Sequence, residues 1–140
     1  MWYDTFWVIP LIPDAREWLD QAEYDFSTAE AMFQAGRYLY VIYMCQLAVE
    51  KALKAIVTHK TRKAPPRTHK LVYLTELADI DLPESYLEFL GTLDAVGAGA
   101  RYPKDLAATL KAYSRDIAKR YLEKTEEFLE WLRQEFMLQL

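Results

Sequence analysis

Four side chains able to hold or share charge, Tyr43, Gln46, Glu50 and Lys54, recur at three- and four-residue steps in a run that is otherwise almost wholly apolar. At 3.6 residues per turn this spacing sets them on one stripe of a helix. A polar stripe on a buried helix must face a cleft or a subunit interface, or find its hydrogen-bond partners inside. Two uses follow: a ligand-facing pair, or a structural Glu50–Lys54 ion pair worth about 0.3–0.5 kcal/mol if exposed. A second concentration is Pro65-Pro66-Arg67-Thr68-His69-Lys70, in which an imidazole and two cations surround a predicted helix start. Backbone N–H groups at such a start favour an anion, so a phosphate could rest there beside Arg67. The alternative is that His69 hydrogen-bonds to fix the loop. The third is Arg101-Tyr102, a guanidinium beside a ring that could stack on a base. Lys54, Glu50, Arg67, His69, Arg101 and Tyr102 are therefore the candidate ligand- or phosphate-binding residues.

Other chemistries find little support. Cys45 is the lone cysteine, which excludes an internal disulfide, and it lies in an apolar run. It reads as an inert buried thiol in a reducing compartment. With His59 and His69 as the two histidines, a Cys/His metal site is not expected; His59 reads as a residue favoured by its helix dipole. The four glycines are scattered and form no phosphate-cradling loop, and no cofactor is expected. Glu123, Glu126, Glu127 and Glu130 fall on one side of the last helix and read as a solvated face.

The net charge of −4 conceals an uneven distribution. Residues 51–75 carry Lys51, Lys54, Lys60, Arg62, Lys63, Arg67 and Lys70 with no acid, so this segment holds +7 and the remainder −11. Such a cationic centre suits a phosphate-bearing ligand or an acidic partner surface, or is a solvated basic loop. At 52% hydrophobic and 27% charged the chain is too apolar for disorder, and 140 residues suffice for one core. The first thirteen residues (MWYDTFWVIPLIP) are apolar, yet lack a basic leader and are too short to span a membrane. They read as an extended arm (1–13) preceding a helical domain (14–140). A cytoplasmic location without membrane contact is expected.

These side chains must be positioned by helices. A 3.6-residue stripe of Ala15, Trp18, Leu19, Ala22, Phe26, Ala29 and Phe33 predicts a first helix, with Asp14 and Glu17 as a capping-box-like pair and Gly36 as its end. The second helix is expected over Tyr38–Lys60. Its first half is apolar nearly all round, which marks a helix covered on every side. Pro65 and Pro66 make Thr61–Thr68 a loop. A short third helix is expected over His69–Ala78, capped by Thr68, and a fourth from about Asp81–Glu84 to Val96. Gly97, Gly99 and Pro103 are expected to break it, leaving Gly97–Tyr113 as a long connection with a helical turn near Leu106–Leu110. Ser114 should cap the last helix, whose stripe is Ile117, Tyr121, Thr125, Phe128, Leu132 and Phe136. The expected fold is all-α: an up-and-down bundle of four main helices and one short helix.

Taken together, three segments resemble the HEPN family (higher eukaryotes and prokaryotes nucleotide-binding). Trp18, Ala22 and Asp25, followed by Gln46-Leu-Ala48-Val-Glu50-Lys51-Ala52-Leu53-Lys54, are similar to that family's Q-x-A-x-E-K-A-L-K run on its second helix. Pro66-Arg67-Thr68-His69-Lys70-Leu71 resembles its P-x-T-H-x-L. Ala100-Arg101-Tyr102-Pro103, with Tyr113-Ser114 opening the last helix, is the third. The resemblance spans about Asp14 to Glu135. It implies a homodimeric nucleotide- or RNA-binding bundle, often associated with a separately encoded nucleotidyltransferase, and in some members a metal-independent ribonuclease toxin.

For a ribonuclease of that family the resemblance implies an active motif of Arg, four to six residues, then His, ahead of the last helix. Here Arg101 matches the arginine, but Leu106, Ala107 and Ala108 occupy the histidine positions, and none can move a proton. Arg62 and His69 have the right spacing in the wrong place, a coincidence. The resemblance therefore implies a nucleotide-, RNA-phosphate- or partner-binding module. The alternative is a ribonuclease with Arg101 and His69 as its catalytic candidates; a third reading is an assembly protein using its aromatic arm and tyrosine-rich second helix.

Overall fold

A computed structural model describes residues 13–137. These form six α-helices: α1 (Pro13–Gln34), α2 (Tyr38–Thr61), α3 (Leu71–Leu77), α4 (Glu84–Arg101), α5 (Leu106–Ala112) and α6 (Arg115–Leu132). A π-helical turn, Arg133–Met137, continues α6. No strand occurs among the described residues. The all-α up-and-down bundle is as expected, except that two short helices, α3 and α5, accompany the four long ones. The arm expected over residues 1–13 lies outside the described residues apart from Pro13.

Helix α2 is the axis: α1, α3, α4 and α6 all pack on it. Its buried residues occupy every side, from Leu39, Val41 and Ile42 to Ala55, Ile56 and Val57, as expected of a rod covered all round. The largest core cluster joins Leu19 of α1, Val49 and Leu53 of α2, Leu74 of α3, Leu90 of α4 and Phe128 of α6. Ala48, Ala52 and Ala55 are fully buried and keep the neighbouring helices close. Asp25 of α1 meets Lys51 of α2 at 2.8 Å, pinning the two longest helices together. Gly36 adopts φ +73° beyond the end of α1, the left-handed stop for which glycine is suited.

Three local expectations need correction, and each bears on the site. Asp14 lies inside the first turn of α1, because Pro13 already opens the helix, so Asp14 is not its N-cap. Helix α3 begins at Leu71 rather than His69, and Thr68 is not its cap: the Thr68 hydroxyl accepts only from the Lys70 N–H, at 3.2 Å. Helix α4 runs through Gly97 and Gly99 to Arg101 instead of stopping at Val96. Two glycines cost about 1 kcal/mol each in helix propensity, but Gly97 and Ala100 are buried in the bundle, and packing overrides that preference. The helix ends where Pro103 disfavours helical geometry at Tyr102. Arg101 is thus a side chain on the last turn of a helix, not on a loose connection. Helix α5 fills part of that connection, capped by Asp105, and Ser114 caps α6 as anticipated.

Candidate functional site

Three elements converge on Glu50. Helix α2 supplies Gln46, Glu50 and Lys54, all buried because the helix is enclosed. The loop ahead of α3 supplies His69, and the last turn of α4 supplies Arg101. The Glu50 carboxylate divides its oxygens between them. Oε2 accepts from Lys54 Nζ at 3.0 Å, and Oε1 meets His69 Nδ1 at 2.7 Å and Arg101 Nη2 at 3.7 Å. The His69 and Arg101 nitrogens share one oxygen, so these two distances hold them within about 6.4 Å of each other.

Gln46 completes the arrangement. Its Nε2 donates to the His69 carbonyl at 2.9 Å, and its Oε1 accepts from Arg101 Nη2. The Arg101 guanidinium also lies 5.3 Å from the centre of the Tyr43 ring, and the Lys54 ammonium 5.4 Å from that of Trp18. The polar stripe Tyr43, Gln46, Glu50 and Lys54 is therefore used along its whole length. Exposure is graded outward: the side chain of Glu50 is 4% exposed, Arg101 12% and His69 63%. Two fixed cations and a histidine stand around the one Glu50 carboxylate, and the cluster reaches solvent through the His69 ring.

The loop that carries His69 is held from α4. Asp94 accepts from the backbone N–H groups of Leu71 and Val72 at 2.8 and 3.2 Å, and so caps α3 from a distant helix. The N–H groups of Leu71 and Val72, expected to face a phosphate beside Arg67, are thus turned to a carboxylate instead. Arg67 is exposed and lines a neighbouring cavity of about 450 Å³ with Trp18, Lys54, Thr58 and Pro66. Tyr102 is 82% exposed and lies in the wall of a separate cavity with Pro103, Lys104 and Tyr113. Of the six candidate residues, Glu50, Lys54, His69 and Arg101 come together; Arg67 adjoins them through Lys54, and Tyr102 lines the other cavity.

Sequence reasoning leaves three participants out of the site. Gln46 lies on the stripe but is given no task there. Asp94 goes unremarked and Gly97 is read only as a breaker, because a helix that stops at Val96 separates them from Arg101. With the helix allowed to continue, Asp94, Gly97 and Arg101 fall at three- and four-residue steps on one face, which is the available signal. Arg62 sits exposed at the end of α2 in a left-handed conformation, φ +60°, as the helix stop. Cys45 is fully buried; burial pushes its thiol up to about 12, against a smaller lowering by the neighbouring Thr125 side chain, as befits an inert core thiol. Glu123, Glu126, Glu127 and Glu130 are all exposed on the outer side of α6, as expected of a solvated face. Among the described residues no helix is long and apolar enough to cross a membrane, and no group of three or more His, Cys, Asp or Glu side chains is set to hold a metal ion.

Comparison with known proteins places this geometry in context. The HEPN domain family model matches residues 15–135. Among solved structures, TT1696 from Thermus thermophilus is similar at 29% identity and a TM-score of 0.70, over 86% of this chain and 96% of its own. ST0689, described as an archaeal HEPN homologue, is similar in fold at 23% identity and a TM-score of 0.71, with the same shares covered. No curated protein matches the chain.

Proposed function

The chain belongs to the HEPN domain family, and on that premise we propose that it binds the phosphate of a nucleotide or RNA at the opening where His69 and Arg101 meet. The observation that carries this reading is the convergence of both groups on one buried carboxylate oxygen, at 2.7 and 3.7 Å. The fixed cations Arg101 and Lys54, left to themselves, would repel one another. Glu50 holds them close while leaving the centre net positive, so a phosphate would find both an electrostatic well and directional donors. The donors available to it are the guanidinium N–H groups not turned to Gln46 and Glu50, joined by the second ring nitrogen of His69 when that ring carries both protons. Lys54, directed at Glu50 and Trp18, acts chiefly as countercharge. Calorimetry against mono- and dinucleotides tests the reading. Micromolar to millimolar binding by the wild type and its loss in an Arg101→Ala/Lys54→Ala double variant are expected; no binding by the wild type, or equal binding by both, refutes it.

The closeness of His69 to Arg101 also favours a second reading, a metal-independent ribonuclease, although the Arg-x(4–6)-His pattern is absent after Arg101. Glu50 orients the imidazole through Nδ1, which directs Nε2 elsewhere, as in other carboxylate–histidine pairs that serve a general base. Nε2 would take the proton of a ribose 2′-hydroxyl, whose oxygen attacks the adjacent phosphorus. The 5′-oxygen leaves and takes a proton from water, and Arg101 offsets charge on the phosphoryl oxygens. Cleavage of an unstructured RNA that disappears in His69→Ala supports this reading; cleavage that survives in that variant removes it.

The proposal extends to a homodimer in the cytoplasm associated with a separately encoded nucleotidyltransferase. Helix α5 supports a protein-covered surface: none of its residues is buried, and Leu106 and Leu110 are at least half exposed. The free, buried Cys45 suits a reducing compartment. Light scattering giving twice the chain mass is expected, and a strictly monomeric mass would exclude the dimer.

A further inference from the structure

Gln46 is 2% exposed and its amide is committed at both ends. Nε2 donates to the backbone carbonyl of His69 and Oε1 accepts from the guanidinium of Arg101. The two ends cannot exchange, because a turned amide would set N–H against N–H and carbonyl against carbonyl. One side chain on the central helix thus ties the loop that bears His69 to the helix end that bears Arg101, residues 32 apart in sequence.

The space for Gln46 comes from Gly97, one turn before Arg101 on α4. A Cβ at position 97 would lie 3.1 Å from Gln46 Cγ and 3.2 Å from Cδ, tighter than ordinary contact. Gly97 is buried within a helix and shows no left-handed φ, so the requirement is for room and not for an unusual backbone. Without a side chain here, α4 lies close enough to α2 for Arg101 to reach Gln46 and Glu50.

We propose that Gln46 is the positioning residue that sets Arg101 against His69, and that Gly97 is the space reserved for it. This rests on the phosphate-site reading for its functional consequence, but not for the coupling itself. Four variants test it: Gln46→Met, which keeps the length and removes both hydrogen bonds; Gly97→Ala; Gln46→Ala; and the Gln46→Ala/Gly97→Ala double. Ring resonances of His69 in nitrogen-15 spectra report the coupling, and dinucleotide calorimetry reports the consequence.

Gln46→Met and Gly97→Ala should each shift the His69 ring resonances and weaken dinucleotide binding about ten-fold, the scale of one lost hydrogen bond to a charged group. In the Gln46→Ala background, adding Gly97→Ala should change binding less than about two-fold, because the new methyl meets vacated space. An equal penalty for Gly97→Ala in both backgrounds overturns the proposal, as do His69 resonances unmoved in Gln46→Met. Gly97→Ala raises helix propensity, so it remains informative if a Gln46 variant does not fold. Should the wild type bind no dinucleotide, the phosphate reading falls, while the resonance shifts still decide the positioning role.

Discussion

Neutralising Glu50 should destabilise this protein more than removing the lysine it pairs with. In Glu50→Gln the shape is kept, and the amide can still accept from Lys54, but the charge is gone. Lys54 is 6% exposed, and Glu50 is its ion-pair partner among the described residues. Breaking a buried pair so that one charge is left uncompensated costs about 3–5 kcal/mol. Two features moderate this: the Trp18 face near the ammonium, and the 450 Å³ cavity beside Lys54, through which water can approach. The expected cost is therefore about 2–4 kcal/mol. In Lys54→Met, the carboxylate keeps His69 at 2.7 Å and Arg101 at 3.7 Å, and the methionine fills the volume of the aliphatic stem. His69 is largely exposed and its share is screened, so a cost of about 1–2 kcal/mol is expected. Urea unfolding at pH 7, fitted with a common slope, measures both. On the scale of this chain the Glu50 variant should melt on the order of 10 °C below the wild type. A Glu50→Gln cost under about 1 kcal/mol, or a Lys54→Met cost exceeding it, would refute the assignment of Glu50 as the hub.

Three further outcomes are expected. Because the folded Cys45 thiol is held near 12 and the unfolded value is 9.0, its stabilisation is complete below pH 9 and is lost as pH rises toward 12, by up to about 1.4 kcal/mol per pH unit. Urea midpoints between pH 9 and 10.5 should accordingly fall more steeply in the wild type than in Cys45→Ala, and parallel slopes would contradict it. Asp94→Ala removes the acceptor of two α3 amides and should cost about 1–2 kcal/mol; hydrogen exchange at Leu71 and Val72 should quicken, and unchanged protection would count against the cap. In RNA binding, Arg101→Ala should reduce the slope of log affinity against log salt by about 0.7, the increment for one phosphate contact on a single strand; an unaltered slope would mean that Arg101 touches no phosphate.

What local sequence determines here is the set of helices and the nature of the central one. The apolar positions recur every 3.6 residues, Pro65 and Pro66 forbid helix, and Ser114 caps its own helix three residues away at the Ile117 N–H. Each of these depends on neighbours within a turn or two, so local order suffices. The stripe on α2 is legible for the same reason, as is the burial of Cys45. Only the tertiary structure decided which distant groups meet that stripe. Glu50 and His69 are 19 residues apart, Leu71 and Asp94 23, and Gln46 and Arg101 55. Helix propensity argues for stopping α4 before its glycines, whereas the absence of a side chain at Gly97 is what brings α4 against Gln46. A residue read alone as a breaker becomes, once packed, the reason that Arg101 arrives at the site.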